Sequence, residues 1–345
     1  MPTKDGRVGF GVIGLNFGLG RCQAIQQVPE AELVAVASRT EATAKRVGEQ
    51  LHVDAYADYH ELLRRDDVDV IGIFTPNAFH QDIAVDAAKA GKHLVITKPL
   101  EITLDRVDTI IAACEEAGVK LATEYMARFQ PGHYLGYQAI ADGSLGRLVT
   151  GEFTYKCFRP QEYYTGTRGT WAVDGGGVML LQAIHSLDVM LWYMGEVESV
   201  VARWGTLTHQ MESEDTAIAI VTFTSGAMAT LVGTTTFHND RPGGQYGGGS
   251  MTRIEVGGDR GSLILTDGNV SMWKSLEAEN APDATPPAIN TFQDVARWVR
   301  DDAYTSPTLV KAADSRKAIA LIQAIYESAR TGKVITLAST PAPVA

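Results

Sequence analysis

A chain of 345 residues is longer than one small core organises and suits two domains. Its 45% hydrophobic and 21% charged content is that of an ordinary globular protein, and a formal net charge of −11 excludes a concentrated basic nucleic-acid surface. No run of about 18 apolar residues occurs and the opening MPTKDGRVGF has no signal-peptide core, so the expectation is a cytoplasmic protein without membrane or nucleic-acid partners.

VGFGVI at residues 8–13 reads as an apolar strand that runs into GLNFGLG and then a helical run at 21–28. A strand, glycine turn and helix in that order turn backbone N–H groups and a helix N-terminus toward a pyrophosphate. The match to GxGxxG is incomplete, because Asn16 takes the second glycine position and Leu19 the third, while Gly14, Gly18 and Gly20 keep the turn. A second strand at 32–38 ends in Ser38, Arg39 and Thr40. An acid there holds the ribose hydroxyls of NAD, whereas a guanidinium and hydroxyls bind a 2′-phosphate, so this tip favours NADP over NAD. The competing reading of Arg39 is a solvated charge at a helix start.

Helices at about 41–51 and 58–65 lead to a strand at 68–74 that ends in TPNAFH, where Thr75 or Asn77 caps a helix at 78–90. That role is compatible with a cofactor contact. Residues 93–100, HLVITKPL, form the apolar strand around which this half is organised. Parallel strands bind ligands at their carboxyl ends, and there Lys98 is held out of helix by Pro99. The plainer alternative is a lysine leaving the core for solvent. A helix at 104–117 and a strand at 120–124 complete a doubly wound α/β domain over residues 1–124.

Residues 125–345 change pattern. After YMARFQP and a helix near 132–142 come strands near 148–158, 197–204, 216–223, 227–237, 251–257, 262–266 and 269–273, which suit an α+β domain with a largely antiparallel sheet. The glycine-rich loop 239–250 reads as a mobile surface segment, 275–288 as polar and proline-containing, and 312–331 as a closing amphipathic helix. Within this half, Gly175 to Gly177 open a helix on which Gln182, His185 and Asp188 share a face at i, i+3 spacing. Cys22, Cys114 and Cys157 lack CxxC spacing, so neither a disulfide framework nor a metal site is expected.

Taken in order, GVIGLNFG, TPNAFH for TPNxxH, TKP for EKP, GGGVMLLQAIHSLD and SRKAIALIQAIYESARTGKVITL resemble the glucose-fructose oxidoreductase, inositol dehydrogenase and rhizopine-catabolism (Gfo/Idh/MocA) family over nearly the whole chain. The resemblance implies a Rossmann domain followed by a domain with an open sheet, whose face commonly builds homodimers or homotetramers. It also implies an NAD(P)-dependent oxidoreductase that interconverts a secondary alcohol and a ketone on a sugar, cyclic polyol or related carbohydrate. By position, Lys98 becomes the lysine that hydrogen-bonds the reacting hydroxyl and His185 the proton-transfer residue. The cofactor contacts become Gly14, Asn16, Phe17, Gly18, Ser38, Arg39, Thr40, Thr75, Pro76, Asn77, His80 and Lys98. Two departures stand out: Thr97 replaces the family's glutamate before the lysine, and Leu181 stands where many dehydrogenases of the family carry Asp or Asn. Gln182, Asp188, Glu124, Tyr164 and Arg168 are the candidates to supply, beside Lys98 and His185, the polar substrate contact or relay missing at Leu181. The alternatives are an NAD-dependent glycosidase with transient redox chemistry and a non-catalytic dinucleotide sensor.

Overall fold

Mostly apolar segments make the first sheet. In this computed structural model, which describes residues 6–241, 249–282 and 284–337, strands β1 (Val8–Ile13), β2 (Ala31–Ala37), β3 (Asp54–Tyr56), β4 (Val70–Ile73), β5 (His93–Thr97) and β6 (Leu121–Glu124) pair in the order β3-β2-β1-β4-β5-β6. The pairs are parallel. Every residue of β1, β4 and β6 is buried, as a sheet covered on both faces requires. Helices α1 (Leu15–Gln26), α2 (Glu41–Leu51), α3 (Tyr59–Leu63), α4 (His80–Lys89) and α5 (Leu104–Ala117) alternate with the strands. The strand order reverses between β1 and β4, and the crevice at that reversal is where open α/β sheets bind ligands.

The expected glycine turn over residues 14–20 contracts to one residue. Helix α1 begins at Leu15, so Asn16, Phe17 and Gly18 are helical. Gly14 does the turning alone, at φ 93°, and a Cβ there would lie 2.7 Å from the Phe74 carbonyl carbon. Edge strand β3 carries too little apolar pattern to be read from the sequence, and its burial is correspondingly slight.

The chain separates into two compact units with a break after Met126, two residues beyond the expected 124/125 boundary, and residues 287–316, expected in the second domain, return to the first unit. They carry a helix absent from the expected elements, α8 (Thr291–Arg300), capped by Asn290, whose side chain accepts from Gln293 N at 3.0 Å. Phe292 packs edge-on to Phe10 and Phe74 with ring centroids 6.1 and 6.2 Å apart. The Arg297 guanidinium reaches Glu30 at 3.0 Å.

The second unit holds a sheet of eight strands: β7 (Leu148–Lys156), β8 (Val197–Gly205), β9 (Thr216–Phe223), β10 (Met228–Thr234), β11 (Met251–Gly258), β12 (Gly261–Thr266), β13 (Asn269–Ser275) and β14 (Ile335–Thr336). Their order is β13-β12-β11-β7-β10-β9-β8-β14, parallel only between β7 and β10. Helices α6 (Pro131–Ala141) and α7 (Ile184–Met194) pack on this sheet, and α9 (Ala312–Thr331) leads into β14. Alternation along β9 buries Ala217, Ala219, Val221 and Phe223 and leaves Ile218 and Ile220 half exposed, at 50% each. Residues 242–248 of the glycine-rich loop lie outside the described residues. No helix among the described residues is long and apolar enough to cross a membrane.

Phe292 is fully enclosed in the first core, so Phe292→Ala should cost about 3–5 kcal/mol by cavity formation. Denaturant titration checks it: an unchanged midpoint would show that α8 does not belong to that core.

Candidate active site

The first unit presents the features of a dinucleotide crevice. Gly14 offers no side-chain cap and the first turn of α1 holds no acid, so the helix dipole there is free to favour an anion. Phe17 is about half exposed, with the Arg21 guanidinium 4.0 Å from its ring centre. Ser38 follows β2, and Arg39 and Thr40 are exposed, Thr40 at the N-cap of α2 without a side-chain bond. At the end of β4 the Thr75 Oγ1 is buried with no hydrogen-bond partner among the described residues. Pro76 is exposed and precedes a 3₁₀ turn, Asn77–Phe79, so α4 starts at His80 rather than at 78.

His80 is fully buried. One ring nitrogen lies 3.0 Å from the Thr75 carbonyl oxygen and the other 3.2 Å from that of Leu100. Burial holds its pKa below the usual value despite those carbonyls. Its ring joins the end of β4 to the segment after Lys98, a brace between two loops.

Lys98 follows β5 and is half-buried. Across the strand pair Thr97 faces Glu124. The Arg21 Nε–H donates to both Glu124 carboxylate oxygens, at 3.0 and 3.2 Å, and Thr97 Oγ1 donates to one at 3.4 Å. Burial raises the Glu124 pKa, while the charges of Arg21 and Lys98 pull it back.

In the second unit the triple glycine permits a contact that no side chain would: a Cβ on Gly177 would lie 1.8 Å from the Glu214 carbonyl oxygen. The Glu214 carboxylate accepts from Gly177 N, Met179 N and the Tyr326 hydroxyl, each at 2.9 Å. Burial pushes its pKa up to about 7 against those donors. A π-helical turn, Met179–Ala183, then precedes α7. Such turns place a side chain where a regular helix would not.

The residues expected on one helix face separate accordingly. Asp188 is buried in a two-pronged pair with Arg128, at 3.0 and 2.7 Å. Gln182 Nε2 donates to the Tyr163 hydroxyl at 3.2 Å, and Arg168 donates to the same oxygen at 2.7 Å with its guanidinium 4.5 Å from that ring centre. Gln182 Oε1 is buried without a partner among the described residues. His185 is half-buried, its ring 6.5 Å from that of Tyr155. Leu181 is half-buried in the π turn. Tyr164 turns its hydroxyl to Thr235 Oγ1 at 2.6 Å, so the ring beside Gln182 and Arg168 is Tyr163. Sequence reasoning missed Tyr163, Arg128 and Glu214; the one local signal for Glu214 is an acidic pair before a strand. No cluster of potential metal ligands occurs among the described residues.

Family models agree with both halves of this picture. Residues 8–125 match the model described as "Oxidoreductase family, NAD-binding Rossmann fold", and residues 137–264 match the "GFO/IDH/MocA C-terminal domain". The chain is 30% identical to "Uncharacterized oxidoreductase YrbE" of Bacillus subtilis, covering 73% of this chain and 72% of that one. It is 29% identical to "Myo-inositol 2-dehydrogenase" of Thermotoga maritima, covering 74% of each. Among solved structures it resembles the WlbA dehydrogenase from Bordetella pertussis, in complex with NADH and UDP-GlcNAcA. The TM-score is 0.86 at 27% identity, covering 97% of this chain and 100% of that one.

The Glu214 pKa in the fold lies above its usual 4.5, so its contribution to stability is fully present below about pH 4.5 and is lost as pH rises to about 7. Relative to Glu214→Gln, the native protein should lose about 3 kcal/mol over that window. Denaturation of both proteins across it gives the difference, and parallel pH trends would contradict the assignment.

Proposed function

The chain belongs to the Gfo/Idh/MocA oxidoreductase family, and from that membership we propose that it interconverts a secondary alcohol and a ketone on a sugar or polyol, with NAD(P) as redox partner. The observation that carries the reading is Lys98, at the carboxyl end of β5, beside the β1/β4 crevice, with the Glu124 carboxylate of β6 opposite the residue before it. The named relatives support the substrate class: one is a myo-inositol dehydrogenase, and the WlbA dehydrogenase was solved with UDP-GlcNAcA.

The chemistry follows from these side chains. The nicotinamide, when bound, supplies the hydride acceptor or donor. Gly14, Asn16, Phe17 and Gly18 would hold its pyrophosphate at the start of α1. Thr75, Pro76 and Asn77 would line the crevice, with Thr75 Oγ1 gaining the partner it lacks. Ser38, Arg39 and Thr40 would take the adenosine ribose and its 2′-phosphate, which makes NADP the preferred partner. Hydride leaves a carbinol carbon only as the hydroxyl loses its proton. His185 takes that proton on an imidazole nitrogen, and the Lys98 ammonium stabilises the oxygen as negative charge develops. Gln182, with Tyr163 and Arg168 around it, supplies hydrogen bonds to the remaining hydroxyls. Three buried free thiols suit a reducing cytoplasm. The partly exposed Ile218, Ile220 and Met228 on the open sheet face suit a homo-oligomer.

Absorbance of reduced nicotinamide, followed with a panel of sugars and inositols and each cofactor, tests the reading. Lys98→Met should leave cofactor binding near normal and lower turnover at least about a hundredfold, and His185→Asn should remove the near-neutral ionisation from the pH profile. Turnover at the native rate in Lys98→Met would overturn the assignment. Arg39→Asp should weaken NADPH binding by about tenfold or more relative to NADH. Equal losses for the two cofactors would reject the phosphate role.

A further inference from the structure

A buried carboxylate at a strand end needs a compensating charge, since an isolated one is too costly to keep ionised. Glu124 is 5% exposed and has two cations around it, Arg21 from α1 and Lys98 from the end of β5. Arg21 is itself fixed: its guanidinium lies over Phe17 at 4.0 Å and reaches Met126 Sδ at 3.6 Å. The register sets Thr97 directly opposite Glu124, and the Thr97 hydroxyl donates to the carboxylate. The carboxylate is thereby held from the helix side and the strand side at once, next to the residue that follows Thr97.

We propose that Glu124 is the positioning residue for Lys98: anchored by Arg21 and Thr97, its carboxylate holds the lysine ammonium at the carboxyl end of β5. This rests on the reading of Lys98 as the group that meets the reacting oxygen. Arg21 by itself would repel the ammonium, and Glu124 offsets that repulsion. Two other ionisable groups of this corner are engaged elsewhere. His80 of α4 is buried between two carbonyls, and Glu101, two residues past Pro99, is turned to Arg106 at 2.8 Å and Gln81 N at 3.4 Å. Glu124 lies on the neighbouring strand, opposite the residue before the lysine, and its charge is coupled to that of Lys98.

The test is the pH dependence of Lys98 acylation by acetic anhydride, read by mass spectrometry on the full-length protein, alongside the alkaline limb of the turnover profile. Glu124→Gln keeps shape and removes charge. It should move the labelling midpoint of Lys98 down by about one pH unit, the effect of losing one nearby opposite charge, and move the alkaline limb with it. A merely structural tether for Arg21 would shift neither. Thr97→Glu added to Glu124→Gln returns a carboxylate across the same strand pair and should restore both. An unchanged midpoint in Glu124→Gln overturns the proposal, and so does a folded double variant that lacks the native midpoint. If the single variant does not fold, the double variant decides alone. Labelling needs neither sugar nor cofactor. A shifted midpoint in a protein that turns over no sugar would reject the dehydrogenase reading and keep the pairing, whereas an unshifted midpoint in an active enzyme would do the reverse.

Discussion

The ends of β1 and β4 approach so closely that no side chain fits between them. A Cβ at Gly14 would lie 2.7 Å from the Phe74 carbonyl atoms and 2.8 Å from Thr75 N, so the turn out of β1 must be glycine and must be short. Because it is short, α1 begins at Leu15 with its first N–H groups at the strand ends rather than behind a loop. The same approach brings Thr75 into the crevice, and the His80 ring then ties Thr75 to Leu100, just past Lys98. One steric constraint thus sets the helix dipole, the β4 loop and the lysine in mutual register within the first unit.

The second unit solves a different problem, which is to hold a histidine-bearing helix that has little polar surface of its own. The segment is braced at both ends by buried carboxyl groups. Glu214 receives the N–H groups of Gly177 and Met179 at its start, and Arg128 grips Asp188 at 2.7 and 3.0 Å one turn beyond His185. A buried ion pair contributes little net stability compared with apolar packing, yet losing one partner costs about 3–5 kcal/mol. Its value here is placement: Arg128 and Asp188 allow α7 one position on the sheet. Arg128 also lies 5.1 Å from the Trp192 ring centre, which ties the pair to the next turn of the helix.

The legibility of each element depends on whether its interactions are local. Strands β1 and β9 and helices α2, α5 and α9 carry their period within a few residues, and their observed bounds match the reading. Helix α8 carries the same period in Phe292, Val295, Ala296 and Val299 behind its Asn290 cap but follows a polar, proline-containing stretch, and its core partners Phe10 and Phe74, far away in the chain, are what no local pattern reports. The expected 124/125 boundary lies two residues from the observed break after Met126, and what the reading lacked is the return of residues 287–316, which nothing local marks as belonging to the first unit. Of the proposed site residues, Lys98 is marked locally by the proline after it and His185 by the three glycines that precede its helix. Glu214, Arg128 and Tyr163 acquire their roles from partners at 35, 60 and 19 residues' separation, which no spacing rule reports.

Leu181 bears on how far one missing polar group matters. In the resembling dehydrogenases this position is often Asp or Asn, and a leucine there would leave the segment before His185 without a polar contact if the helix were regular. The segment is not regular. Residues 179–183 form a π turn, and within it Gln182 is buried with its amide nitrogen on the Tyr163 hydroxyl and its oxygen without a partner among the described residues. A π turn carries an extra residue and rotates the downstream helix relative to a continuous α-helix, so the side chain that turns inward here is residue 182. The hydroxyl it meets also receives Arg168, whose charge strengthens that hydrogen bond. The buried polar side chain of this turn is therefore Gln182, one residue after Leu181, and it is a neutral amide rather than a carboxylate.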